Sequence, residues 1–413
     1  MKYVPGDERM TAILPQELPA AGSEKKPAKI HWAYLDGLRG LAAMYVVLHH
    51  FIAWGYRADS HIIHKITALL AFGHTAVNIF IVLSGFSLML PVARSADGTL
   101  RGGWKEYLKR RAIRIVPPYW AALAISILVD AGVSHIGETA RIVSGIPYHE
   151  FTVSAILGHF LLIHNVQSRG LSFFNMAHWS VATEWQIYFL LPLLLLPAWR
   201  RFGIPGLVIT GILIGLIPAL FPQVDILHAC FWYIGLFAIG GAGAVVATRM
   251  LAKGDALPVL RINRSLAAAF LALLALYGLS LKAYPGHAIS AVAGEYASSY
   301  ISQAIRDTLT GCLTLCLILY CVPFMRNANR SSKIVNVLSS PALVKLGAFS
   351  YSLYLTHCIV LRFADLGNYL LHAGPTTALL IKTFIGLPAA VGFAYLFHLV
   401  CERPFMQILS KMR

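Results

Sequence analysis

Charge is what this sequence has least of: Asp, Glu, Lys and Arg make up 13% of its 413 residues, where a soluble domain carries roughly a quarter. So small a polar complement cannot clothe a water-facing surface, which excludes an ordinary soluble globule. Acidic residues are scarcer still, 18 against 34 Lys plus Arg. Cysteine is sparse too. Cys230, Cys312, Cys316, Cys321, Cys358 and Cys401 lie within or beside apolar runs without paired metal-type spacing, so they read as buried packing residues. A glycine-rich phosphate loop, a Ser-His-Asp arrangement and an HExxH motif are also missing. The reading is therefore of no metal.

What fills the chain instead is apolar residue, 57% of the total, in runs of about 18 to 24 such as Val181 to Trp199 and Ala304 to Met325, each long enough to cross a hydrocarbon core. The runs predict an all-α, polytopic integral membrane bundle with ten crossings, at 34–54, 72–91, 116–133, 178–198, 204–221, 228–248, 265–281, 301–323, 346–366 and 376–400. Phe151 to Val166 is apolar but short, so it reads either as an eleventh crossing or as a helix along the surface. Residues 1–33 are polar and proline-containing, with Lys25, Lys26 and Lys29 but no apolar core region. They predict a disordered cytoplasmic tail and no signal peptide. Residues 34–405 form one membrane domain in this reading, and 406–413 a short cytoplasmic C-terminal tail.

The formal net charge of +16 would suit nucleic acid, but the cations sit in short clusters between apolar runs and make no continuous basic face. The positive-inside rule accounts for them. With both termini cytoplasmic, Arg94, Arg101, Lys105, Lys109, Arg110, Arg111 and Arg114 fall inside, as do Arg200, Arg201, Arg249, Lys253, Arg261, Arg264, Arg326, Arg330, Lys333 and Lys345. Only scattered cations, Arg57, Lys65, Arg141, Arg169 and Lys282, remain outside.

Ionisable groups inside spans are costly and mark function by default. The first span reads Leu35-Asp36-Gly37-Leu38-Arg39-Gly40-Leu41 and ends in His49-His50. Eleven helical steps leave Arg39 and His50 about 20° apart on one face and about 16 Å apart along the axis, with Asp36 on the same face. Such a stripe suits an anion at the inner end and proton chemistry deeper. Arg111 and Arg114 share a helical face where the third span meets the cytoplasm, and paired guanidiniums suit phosphates. In the fourth span, Trp179-Ser180 leads to Glu184 and Tyr188. Glu184 lies about 9 Å below the span's start, a depth matching His50, which makes a His–Glu pair the expected arrangement. Ser84, Asn78, Trp179, Tyr188 and His357 complete the candidate substrate-binding set, with His74 and His178 near the outer face. Ser84 and Gly85 also read as a site of close helix packing.

Together these segments resemble the acyltransferase family 3 membrane proteins over about residues 31 to 405. The carrying residues are Leu35 to Leu41 with His50, Phe80 to Phe86, Arg111 and Arg114, Trp179-Ser180 with Glu184, Ser350 to His357, and Glu402-Arg403-Pro404. The resemblance implies a stand-alone member, without a fused hydrolase-like domain, in the bacterial inner membrane. It implies transfer of an acyl group, acetyl in the common case, from acyl-CoA to a hydroxyl of a cell-surface or exopolysaccharide glycan. It makes His50 the base and puts Arg39, Arg111 and Arg114 on the coenzyme side, and Asp36, on the face of Arg39, joins them as a candidate cofactor-binding residue. Glu184 then partners His50 in catalysis. Direct transfer and an acyl-histidine intermediate both fit, and direct transfer is preferred because no separate nucleophile is evident. A proton-coupled or solute transporter, or an acyl carrier serving a partner enzyme, are the rival readings. The partners expected are acyl-CoA, a glycan or glycolipid and the bilayer, with no nucleic acid. Oligomeric state and acceptor hydroxyl are not legible.

Overall fold

The computed structural model describes residues 32–53, 67–143, 152–166, 174–221, 229–253, 258–282, 286–325 and 332–412. The expected N-terminal tail and the cations Arg57, Lys65, Arg169, Arg326 and Arg330 lie outside these, as do the side chains of Arg141 and Lys282. Among the described residues every regular element is helical and no strand occurs. Residues 32–412 contain α1 (Ala33–Leu48), α2 (Gly73–Arg94), α3 (Gly103–Ile136), α4 (His178–Leu190) and α5 (Leu196–Leu216). They continue with α6 (Tyr233–Ala252), α7 (Val259–Lys282), α8 (Gly286–Cys321), α9 (Pro341–Ala348), α10 (Ser350–Leu370) and α11 (Leu387–Phe397).

Among the described residues seven helical runs are long and apolar enough to cross a membrane, or eight if α9 and α10, bent by 72° at one break, count as one span. The protein is thus a multi-pass membrane helical bundle. Two features separate eight from ten. The spans placed at 178–198 and 204–221 merge into His178–Leu220, 43 residues, roughly twice what one crossing needs, with a break at Gly203 (φ 66°, ψ −153°). The segment placed at 34–54 is helical, but Asp36, Arg39, His49 and His50 leave it less apolar than the seven. The described part of that short apolar stretch, 152–166, holds no helix long enough to cross. It contains the eight-residue helix Val153–Phe160 and a 3₁₀ turn His164–Val166, and eight residues rise only about 12 Å. At the other end, the tail placed at 406–413 begins inside the helix Arg403–Lys411.

The apolar core runs through α1, α2, α4, α6 and α8. Two glycine contacts set how closely its helices approach. A Cβ on Gly37 would collide with the Leu338 carbonyl and one on Gly347 with the Asp36 carbonyl, so α1 lies backbone to backbone against α9 and the segment before it. Gly85 meets the Phe237 carbonyl and Gly240 the Val82 carbonyl in the same way, pressing α2 on α6. The motif glycines are thus packing devices that bring the polar residues beside them to fixed places.

Candidate active site

Helix α1 does not end at Leu48. It widens into a π-helical turn, His49–Ala53, of the kind that often marks functional sites. This turn carries His50 into a cavity of about 420 Å³, lined also by His49, His74, Trp179, Trp232, Gln303, Arg306 and Tyr354. A second cavity of about 110 Å³ is lined by Arg39, Ser84, Ser87, Arg111, Arg114, Ser180, Glu184, Tyr188, Tyr351 and Tyr354. Val77 and Tyr354 line both. The Arg39–His50 stripe expected on α1 therefore opens at one end into a guanidinium-lined chamber and at the other into an imidazole-lined one.

His50 has a defined partner. Nε2 of His357 lies 3.1 Å from Nδ1 of His50, while Nδ1 of His357 is 3.1 Å from the Leu353 carbonyl and 2.8 Å from that of Tyr354. Carbonyls only accept, so Nδ1 of His357 carries its hydrogen and Nε2 carries the lone pair. Nδ1 of His50 must then be the donor, which leaves the basic lone pair of the neutral His50 ring on Nε2. Helix α10 thus fixes the tautomer of a histidine on α1. His357 itself is fully buried and lines neither cavity, so it stands behind His50 and not in the substrate space assigned to it from sequence.

The expected pairing of His50 with Glu184 is not the arrangement found, because the two line different cavities. Equal depth along two helices says nothing about which way each side chain turns. Glu184 accepts the Tyr188 hydroxyl at 2.5 Å, and Ser84 Oγ is 3.2 Å from the same hydroxyl. Its charge acts on Arg39 and Arg111. One carboxylate among three guanidiniums leaves the chamber net cationic, suited to an anion. Asp36 does not line this chamber. It holds Arg39 from behind at 2.8 Å, while the other terminal nitrogen of Arg39 donates to Ser87 Oγ at 2.5 Å.

Other motif residues are fasteners. Glu402, buried, accepts from Ser352 Oγ at 2.5 Å and lies 2.8 Å from Nδ1 of His398. Tyr351 donates to the Ile115 carbonyl at 2.9 Å, tying α10 to the helix of Arg111 and Arg114. Ser180 Oγ is 2.6 Å from the Tyr354 hydroxyl at the wall between the chambers.

Sequence reasoning missed Asp307 of α8. Only 3% exposed, it accepts from Trp232 Nε1 at 2.7 Å, Asn78 Nδ2 at 2.8 Å and Gln303 Nε2 at 3.0 Å, and lies 2.9 Å from Nε2 of His74. Asn78 is therefore buried in this network and lines neither cavity. The ring of His74 stacks on Trp179, 10° from parallel at 5.7 Å between centroids. The rule that flagged Glu184 as an intramembrane carboxylate applies equally to Asp307. His178 is buried against Tyr119, 4.8 Å between centroids, and lines neither chamber.

The site is thus a cationic chamber and an imidazole chamber meeting at one wall inside a multi-pass helical bundle. Comparison with known families gives the class of reaction: the family model described as an acyltransferase domain matches residues 32–399. The chain belongs to that family and is a membrane acyltransferase. Searches of curated proteins and of solved structures returned no match.

Proposed function

We propose that the protein transfers an acyl group, acetyl in the first instance, from acyl-CoA entering at the cytoplasmic face of the bacterial inner membrane to a hydroxyl of a cell-surface or exopolysaccharide glycan. The observation that carries this reading is the shared wall: Val77 and Tyr354 separate the chamber of Arg39, Arg111 and Arg114 from the chamber of His50. The smaller chamber, about 110 Å³, takes only the phosphate end of the nucleotide thioester in this scheme. The phosphates rest on its guanidiniums and the acyl-pantetheine arm extends toward His50.

The acceptor hydroxyl enters the larger chamber. Nε2 of His50 removes its proton as the oxygen attacks the thioester carbonyl, and the imidazolium returns a proton to the departing thiolate. The nascent imidazolium keeps its Nδ1 hydrogen on His357, which holds the ring in place through both steps. No metal takes part in this scheme. Glu184 serves the donor chamber here, setting the positions of Tyr188 and the arginines. Folded, membrane-inserted protein supplied with labelled acetyl-CoA and a glycan acceptor tests the reading: label should move to the glycan and free thiol appear, and His50→Ala should abolish both. Full turnover by that variant refutes the role of His50, and thiol release without glycan labelling refutes the acceptor class.

A further inference from the structure

Behind the larger chamber, His50, His357 and Cys358 place their ligand atoms within 4.8 Å of one another. Two of the three separations are close to those of a coordination sphere. Zinc–nitrogen and zinc–sulfur bond lengths in tetrahedral sites require about 3.4 Å between two nitrogens and about 3.5 Å between nitrogen and sulfur. The structure gives 3.1 Å from His357 Nε2 to His50 Nδ1 and 3.3 Å from Cys358 Sγ to His357 Nε2, each a few tenths of an ångström short of those values, so side-chain movement that spreads these two pairs and brings Cys358 Sγ toward His50 completes the sphere. The second shell is in place as well: the other nitrogen of His357 is bonded to the Leu353 and Tyr354 carbonyls, the arrangement that presents Nε2 as a ligand. His357 and Cys358 are buried, while His50 borders a cavity of about 420 Å³ that provides an entry path and room for a fourth ligand such as water.

We infer that His50, His357 and Cys358 form an inhibitory site for a borderline-soft divalent cation of the Zn²⁺ type. Two imidazoles and a thiolate select such an ion over Mg²⁺ or Ca²⁺. On binding, one proton leaves the Cys358 thiol. The His50 ring keeps its single proton but carries it on Nε2, because Nδ1 now gives its lone pair to the metal. The nitrogen assigned above to take the acceptor's proton is thereby blocked. The inhibitory consequence rests on the proposed role of His50, whereas occupancy of the site does not.

The test uses full-length purified protein in detergent or nanodiscs, first without substrates. Titration with Co²⁺ should give a saturable near-ultraviolet thiolate-to-cobalt charge-transfer band at one equivalent, displaced by Zn²⁺. The band should vanish in Cys358→Ser and in Cys358→Ala, each with Zn²⁺ affinity weakened at least about tenfold and with unchanged helical content. A wild-type protein without the band, or a band retained in both variants, overturns the site. In the transfer assay Zn²⁺ should inhibit reversibly, chelator should restore turnover, and Cys358→Ser should require at least about tenfold more Zn²⁺ for the same fractional inhibition. Co²⁺ binding with undiminished transfer overturns the inhibitory role while the site stands. If transfer itself cannot be demonstrated, the spectroscopic arm still decides the site.

Discussion

Oδ2 of Asp307 lies 2.9 Å from Nε2 of His74 and 2.7 Å from Nε1 of Trp232, so one buried carboxylate on α8 positions two rings that line the larger chamber. An Asn at this position offers one acceptor oxygen and turns an amide donor toward groups that themselves donate. Asp307→Asn should raise KM for the acceptor with little change in KM for acyl-CoA, and lower stability by about 1–3 kcal/mol. Paired kinetics for the two substrates and thermal unfolding check this. Equal effects on both KM values would show the network to be general scaffolding.

His357 holds the tautomer of His50 without facing either chamber. His357→Phe keeps an aromatic ring but removes the acceptor nitrogen, and should lower kcat by about 10²-fold or more while leaving donor binding intact. Donor affinity measured by equilibrium binding alongside kcat separates the two effects.

Arg111 and Arg114 line the smaller chamber with Arg39. Single Gln substitutions at either should weaken acyl-CoA binding by about 1.5–3 kcal/mol, the scale of a lost charge-assisted hydrogen bond. Dephospho and fully phosphorylated forms of the donor should then bind more nearly alike. Binding isotherms at two salt concentrations provide the check, and an unchanged affinity would assign these arginines to topology.

Gly37→Val would drive a side chain into the Leu338 carbonyl, a backbone atom that cannot swing aside. The expected result is loss of folded protein, or destabilisation of at least about 1–3 kcal/mol. Fluorescence-detected size exclusion of the solubilised variant reads it directly. A fully stable Gly37→Val would mean that α1 and the segment before α9 can separate without cost.

The helical bundle was legible because long apolar runs admit few other structures. So was the division of α1 into an arginine end and a histidine end, since helical pitch carries that information along one continuous element. Contacts between elements were not legible. His50 and His357 are 307 residues apart, and nothing in local periodicity says that α10 turns its histidine toward α1. The pairing of Glu184 with His50 failed for the same reason: depth can be counted in residues, but azimuth depends on packing. The glycines of the first motif show the limit from another side, because their role is set by the Leu338 and Asp36 carbonyls on the facing chain.

Tyr354 borders both cavities, and its hydroxyl is 2.6 Å from Ser180 Oγ. A side chain common to two compartments that moves to meet an occupant of one reshapes the other, so under the proposed function the two binding equilibria are joined through it. Linkage requires that influence to be reciprocal: if a filled coenzyme compartment favours entry of the sugar, the sugar favours retention of the coenzyme by the same factor.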